Sequence, residues 1–482
     1  MSKSIAKNFT YNLLFQIVSL LIPLMTVPYI SRILGKEGIG VYSYTFSITQ
    51  YFIILGTLGV ALYGNRQIAY VRDDKEKMSK TFWSITVLQI ITTSIALIFY
   101  ILIFGFNKKY GSAYLIQSIN IIGAMIDISW LYMGLEDFKK IVIRNLTVKI
   151  IGIICIFCFV KDYDDLYKYI AINGLMILFG NLVMWTYIPN TVLKVKIKFA
   201  DIKEHLVPII KLFIPQIAIQ IYVVLDKSML GTLASTGEVG IYDQSQKIVK
   251  LILGLVTSLG VVLLPRMSNT FANGDNEKMN NYLNKSLNGV AYVSIPMAVG
   301  LASISKEFVP WFFGPDFGQV TYLIIISTPI LFLIAMSNVF GMQYLLPANK
   351  TKEFTMSVTV GAIINVILNF MLIPKYKAIG ACIATVMAEF GVTIIQYTFV
   401  RNIIGKRYFL VNILKYLVAS LAMFIVVRVI GNYMGVRIIT TVIQAISGSV
   451  IYVIILILMK DKINLFIFRT INEKLIKKMA RR

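Results

Sequence analysis

Apolar runs of about 20 residues, the length a helix needs to cross a bilayer core, recur from one end of this 482-residue chain to the other. Such runs leave few choices, because in hydrocarbon every backbone N–H and C=O must be satisfied within a helix or a closed barrel. A barrel would show segments of about ten residues with alternating polarity, and the sequence has none. Composition agrees: 57% of residues are hydrophobic, 15% are charged and the mean hydropathy is +0.75, against about a quarter charged in soluble domains. The expected fold is an all-α polytopic membrane protein. Its fourteen transmembrane helices are expected at about 9–31, 40–65, 82–105, 112–134, 141–160, 166–188, 207–230, 239–264, 287–305, 319–344, 354–373, 378–400, 409–430 and 437–459.

The formal net charge of +24 is a topology signal rather than a sign of nucleic-acid binding. When the N-terminus and every second loop are placed on one side, that side collects roughly 30 basic residues against roughly 11 opposite, so both termini are expected in the cytoplasm. The opening MSKSIAKNFTYN runs into a long span without a small-residue cleavage site, so it is not read as a removed signal peptide. Cys155 and Cys158 form a C-x-x-C inside the apolar stretch IICIFCFV, where core packing is expected rather than redox chemistry. The single histidine, His205, falls in a basic connector and is expected to be an ordinary surface residue.

An internal repeat appears at an offset of 200 residues. SRILGKEGIGVYSYTFSITQ (31–50) parallels KSMLGTLASTGEVGIYDQSQKIVK (227–250): Leu-Gly, a polar turn with Glu and Gly, then Gly-Val/Ile-Tyr opening the next span. Tyr42 matches Tyr242 and Arg66 matches Arg266. An even number of spans separates the copies, so both enter the membrane in the same sense. Two parallel six-helix lobes related by an axis along the membrane normal follow, an architecture with transport sites between lobes. The expected division is an N-lobe 1–205, a C-lobe 206–402, and two added helices with a basic tail at 403–482.

The repeat exposes an aligned polar face. Ser43, Ser47 and Gln50 align with Asp243, Lys247 and Lys250, and spacings of four and three put each trio on one side of its helix. Each charge at bilayer depth costs roughly 2.5–3.5 kcal/mol on insertion scales, so a stripe polar in both copies points to a water-filled cavity. Asn12 and Gln16 on the first span, and Gln216, Gln220, Asp226 and Lys227 on the seventh, extend it, with Gln246 beside Lys247. One reading makes Asp226, Lys227, Asp243 and Lys247 an inter-helix ion network. That network leaves Lys250 over and the cluster net positive, so the other reading is an anion site for a phosphate-bearing ligand built on Lys227, Lys247 and Lys250, with Arg32 at the external mouth. Asp127 and Glu389, like Asp226 and Asp243, are candidates for coupling to a proton or sodium gradient, or for local structural pairing. No catalytic constellation and no phosphate-binding Gly-rich loop is present, so neither an enzyme nor an ATP-driven pump on this chain is expected, and no cofactor or metal is implied.

At these residues the chain resembles a known family. KNFTYNLLFQIVSLLIPLMTVPYISRILGKEGIGVYSYTFSITQYF and VLDKSMLG…EVGIYDQSQKI are similar to the bacterial polysaccharide-biosynthesis flippases, relatives of the multidrug and toxin extruders and of the lipid II flippase. The resemblance implies alternating-access movement of an undecaprenyl-diphosphate-linked oligosaccharide across the bacterial cytoplasmic membrane, with no enzymatic step. The lysines would hold the diphosphate and the Ser/Gln/Asn stripes the glycan. The two added helices would help seat the lipid tail, by analogy of fold. The partners implied are membrane lipids and, on the basic cytoplasmic face, the polymerase and glycosyltransferases of the same pathway. A cation-coupled multidrug extruder is the alternative, disfavoured by the basic stripe; a lipid II flippase is a second.

Overall fold

The computed structural model describes residues 3–272, 276–404 and 406–465, with backbone alone along 3–21, 214–216, 218–219, 221–223, 258–272, 276 and 406–408. Among them the regular structure is helical, with no strand. Contacts divide the chain into two compact units, Met1–Gly240 and Ile241–Arg482.

The first unit contains α1 (Lys3–Thr57), α2 (Val60–Val71), α3 (Lys75–Tyr100), α4 (Gly111–Met125), α5 (Ser129–Gly134), α6 (Phe138–Phe159), α7 (Leu166–Trp185), α8 (Ile188–Thr191) and α9 (Phe199–Leu233). The next helix, α10 (Thr236–Ala272), begins in the first unit and continues into the second. There it is followed by α11 (Asn276–Phe313), α12 (Val320–Ser327), α13 (Pro329–Ser337), α14 (Thr351–Val400), α15 (Lys406–Met434) and α16 (Ile438–Leu458).

Ten stretches among the described residues are long and apolar enough to cross a membrane, and two of them, Ile22–Val71 and Thr351–Val400, are 50 residues long. A straight helix of that length would measure about 75 Å against a core of about 30 Å. Neither is straight: α1 breaks at Gly35 (φ 59°, ψ −177°) and α14 at Lys377 (φ 50°, ψ −128°). The Gly35 conformation belongs to a region that only glycine enters without strain. In the second copy of the repeat the break between α9 and α10 falls at Ala234–Ser235, the position of Gly35 displaced by 200 residues.

The connectors are shorter than the sequence suggests, because helices run past the apolar limits into charged sequence. The basic stretch expected as a loop from Arg66 to Lys80 is helical except at Arg72–Asp74, where Asp74 caps α3 by accepting from Glu76 N and Lys77 N at 3.1 Å each. The segment expected as a loop at 265–286 is helix up to Ala272 and again from Asn276. The connector 192–198 is not helical, and its ends, Val192 and Lys198, are extended. It is pinned to α3 by Leu193 N donating to Ser79 Oγ (2.9 Å) and Trp83 Nε1 donating to Leu193 O (3.0 Å). The Lys80–Asp201 pair at 2.9 Å closes that corner. An N–H from Lys198 and the Lys80 ammonium hold the Asp201 carboxyl below its usual range.

Two further expectations are corrected here. His205 lies within α9, where its Nδ1 is 2.8 Å from the Tyr63 hydroxyl; burial pushes the imidazole below its ordinary value. Cys158 is exposed on α6 and Cys155 is half-buried, so neither is a core residue. The cores lie elsewhere: one around Phe82, Trp130, Tyr132 and Met184 in the first unit, another around Leu283, Leu287, Ala291, Tyr416 and Tyr452 in the second.

Candidate functional site

The polar face of α10 is built as its spacing implies. Lys247 Nζ lies 2.8 Å from Asp243 Oδ2, one helical turn away, with the acid side chain 4% exposed and the lysine 34%. Lys250, on the next turn, is exposed. One carboxylate and two ammonium groups leave this face formally positive. Gln246 points elsewhere: it is buried, its Nε2 donates to Ser327 Oγ at 3.0 Å and approaches Cys382 Sγ at 3.8 Å, and so ties α10 to α12 and α14. Glu389 is half-buried on α14, where its carbonyl accepts from the Thr393 hydroxyl at 2.7 Å.

In the first unit the arm of α1 after Gly35 packs on α9. The Tyr51 hydroxyl meets Ser228 Oγ at 2.6 Å and the Tyr44 hydroxyl meets Thr232 Oγ1 at 3.2 Å. Ser43 and Ser47 lie beside that seam, both buried, and Ser47 Oγ is used by its own helix, donating to Tyr44 O at 2.7 Å. Gln50 is half-buried. On α9, Asp226 is buried, Lys227 is half-buried and Gln220 is exposed. Arg32 is exposed one turn before the Gly35 break, with Nη1 3.4 Å from Pro28 O. The side chains of Asn12, Gln16 and Gln216 lie outside the described residues.

The repeat reappears as a reciprocal contact within the first unit. A Cβ at Gly40 would lie 1.7 Å from Thr236 O, and one at Gly240 would lie 2.0 Å from Lys36 O. These are one contact made twice, since 36 and 236, and 40 and 240, are aligned positions. Glycine at both places is what lets the two turns touch backbone to backbone. Thr236 Oγ1 adds a bond to Glu37 Oε2 at 2.9 Å.

Asp127 sits where the expected fourth span is broken between α4 and α5, and its Oδ1 holds the first residue of α5, accepting from Ser129 N at 2.9 Å and from Ser129 Oγ at 2.5 Å. The carbonyls freed by the break are taken up by side chains. Gln89 Nε2 donates to Ala124 O (2.7 Å) and Asp127 O (3.1 Å), Trp185 Nε1 to Ile126 O (2.8 Å), and Asn181 Nδ2 to Gly123 O (2.9 Å). Arg144 in turn bonds Asn181 Oδ1. Carbonyls so committed make this network a structural support for a broken helix.

Sequence reasoning missed one charged cluster. Glu307 and Arg428 pair at 2.7 Å in the second unit, and Gln444 Nε2 donates to the same carboxylate oxygen at 3.1 Å. Each falls near a helix end, where a lone charge reads as snorkelling, and nothing in the pattern links positions so far apart.

Comparison with known proteins locates the chain. The model of the family described as polysaccharide biosynthesis protein matches residues 5–271. A proposed O-antigen transporter of Escherichia coli (strain K12) is 28% identical over 411 residues, covering 83% of this chain and 97% of that protein. Among solved structures, a lipid II flippase, MurJ, in an inward closed conformation, superimposes with a TM-score of 0.75 at 21% identity, covering 95% of this chain and all of that one. An inward-facing multidrug transporter of the MATE family superimposes at a TM-score of 0.57 and 12% identity, covering 80% and 97% of the two chains. These likenesses show a shared polytopic helical fold.

Proposed function

Since the chain belongs to the polysaccharide biosynthesis protein family, we propose that it flips an undecaprenyl-diphosphate-linked oligosaccharide across the bacterial cytoplasmic membrane for assembly of a surface polysaccharide. The observation that carries the reading is the positive face of α10. A buried Asp243 fixes Lys247 at 2.8 Å, and Lys250 stands exposed one turn further on. A carboxylate that orients one ammonium beside a second makes a place for a diphosphate, and at low dielectric that attraction exceeds its value in water several-fold. The first unit offers neutral polar groups at the aligned positions, so the tasks divide: diphosphate on α10, glycan on the α1 and α9 stripes.

The lipid tail has its own place in the second unit. A groove of about 390 Å³ is lined only by apolar side chains, among them Val299, Phe332, Leu333, Met387, Phe390 and Leu417. A polyprenyl chain carries no polar atom, and this groove asks for none. Reading α1 and α14 as two crossings each, and α9 and α10 as one each, brings the ten stretches to the fourteen of the sequence pattern, with both termini cytoplasmic. Movement is by alternating access and needs no bond to be made or broken. The acids Asp127, Asp226, Asp243 and Glu389 are the candidates for proton or sodium coupling. Pathway polymerases and glycosyltransferases are candidate partners on the basic cytoplasmic face. A lipid II flippase is the second reading, favoured by the TM-score of 0.75 to one, and it shares the diphosphate chemistry.

The test uses purified protein in liposomes holding a fluorescent undecaprenyl-diphosphate oligosaccharide, with an external glycan-cleaving enzyme reporting translocation. Wild type is expected to expose the glycan, and Lys247→Ala with Lys250→Ala to slow exposure at least about tenfold. Normal rates in the folded double variant would overturn the diphosphate assignment. Preference for lipid II over the oligosaccharide would select the second reading, and export of a cationic dye with no lipid movement would select the multidrug extruder.

A further inference from the structure

On the arm of α1 after Gly35, the hydroxyl side chains are largely spent on their own helix. Thr45 Oγ1 donates to Val41 O (2.8 Å), Ser47 Oγ to Tyr44 O (2.7 Å) and Thr49 Oγ1 to Thr45 O (2.8 Å), and all three residues are buried. A hydroxyl bonded back in this way has little left to offer a ligand. The open face of the arm is another one. Tyr42, Phe46 and Gln50 recur at four-residue spacing, so they share one side of the helix, and all three are half-buried.

The rings of Tyr42 and Phe46 are nearly parallel, with planes 8° apart and centroids at 5.7 Å. Tyr169 of α7 braces the pair, its ring edge-on to Tyr42 with centroids 4.9 Å apart and planes at 65°. That contact places the pair inside the first unit rather than against lipid. In the second copy of the repeat the aligned face is closed. Tyr242 is 3% exposed with its hydroxyl 3.3 Å from Thr385 Oγ1, and Gln246 is 6% exposed against Ser327 and Cys382. A ring pair that served packing alone would be sealed as its counterpart is, and this one keeps part of its surface open.

An aromatic ring attracts C–H groups through its negative face, and that face gives an anion nothing. A pyranose carries both a C–H face and a rim of hydroxyls. Parallel rings suit the first, and the Gln50 amide, which both donates and accepts, suits the second. Resting on the flippase reading above, we propose that Tyr42 and Phe46 seat a pyranose of the lipid-linked glycan, with Gln50 meeting its hydroxyls. Selection for sugar thus falls to aromatic faces on α1 rather than to its serine stripe.

The test measures binding of two carriers to purified protein in nanodiscs: undecaprenyl diphosphate, and the same carrier bearing N-acetylglucosamine. Stacking reads a C–H face that pyranoses share, so one sugar suffices as the probe. Wild type is expected to hold the glycosylated carrier about tenfold more tightly, the reach of one good aromatic contact. Phe46→Leu removes the ring and should bring that ratio close to one, with the affinity for the bare carrier unchanged. Phe46→Trp keeps a ring, so it should keep the ratio, and its indole emission should shift with the glycosylated carrier alone. No preference in wild type, a ratio undiminished in Phe46→Leu, or an equal loss for both carriers would each overturn the assignment. So would an indole that responds to tetraphenylphosphonium and not to the sugar, which would make the pair a site for organic cations. A protein that prefers the glycosylated carrier, loses that preference in Phe46→Leu and still moves neither carrier across liposomes would keep the sugar site and lose the flipping.

Discussion

Asp243 and Lys247 set the residue-scale question of what a charged pair on α10 contributes to folding, as distinct from binding. With the acid side chain 4% exposed and the lysine 34%, Lys247→Ala removes the ammonium 2.8 Å from a buried carboxylate and is expected to destabilise by about 1–3 kcal/mol, below the value for a fully buried pair because the lysine is partly solvated. Asp243→Asn with Lys247→Ala should recover most of that loss, whereas exposed Lys250→Ala should stay within about 0.5 kcal/mol of wild type. Denaturation of the three purified variants checks the order. If the double variant were less stable than Lys247→Ala, the pair would not be the link assumed. His205 gives a second prediction. Burial holds its folded value below the ordinary one, so the unfolded chain takes up the proton first as pH falls below about 6.5. The stability present above that pH is lost as pH falls through the folded value. Melting between pH 7.5 and 5.5 should drop less in His205→Gln than in wild type, since Gln carries no proton; equal drops would remove the histidine from the acid sensitivity.

At the scale of elements, the two turns of the repeat meet through glycines that no helix propensity would favour. Gly40 lies against Thr236 O and Gly240 against Lys36 O, so Gly40→Ala and Gly240→Ala each drive a methyl into a backbone carbonyl. Overpacking of this kind costs about 1–3 kcal/mol. Both methyls would be relieved by the same parting of the turns, so the double substitution should cost clearly less than the sum of the singles. Additive losses in thermal unfolding would show that the two contacts yield independently. The break in α4–α5 follows another logic. Its carbonyls are held by Gln89, Asn181 and Trp185, so Gln89→Leu should leave carbonyls unmet at membrane depth and destabilise by about 1–3 kcal/mol.

For the whole molecule, legibility divided according to the range of the force concerned. Apolar runs report burial residue by residue, so nearly every helix stood in the sequence. The aligned breaks at Gly35 and Ser235 were foreshadowed by the repeat. Lys377 was not, because a lysine at positive φ (50°) follows from its surroundings and from nothing in its own preferences. The Asp243–Lys247 pair was legible because its partners are one turn apart, whereas the burial of Gln246 was not, because its partners, Ser327 and Cys382, come from distant helices. The Glu307–Arg428–Gln444 cluster was invisible for the same reason. Orientation is the whole-molecule property that the sequence specifies through many weak contributions, each basic residue favouring the cytoplasmic side by a small amount. It can be tested loop by loop. After replacement of Cys155, Cys158 and Cys382, single cysteines at the exposed positions Lys108 and Val436 should react in intact cells with a membrane-impermeant maleimide. Cysteines at Asp73 and Lys352, also exposed, should react only after the membrane is opened. The reverse pattern at all four sites would turn the molecule over; reaction from the same side at Lys108 and Asp73 would mean that α3 does not cross.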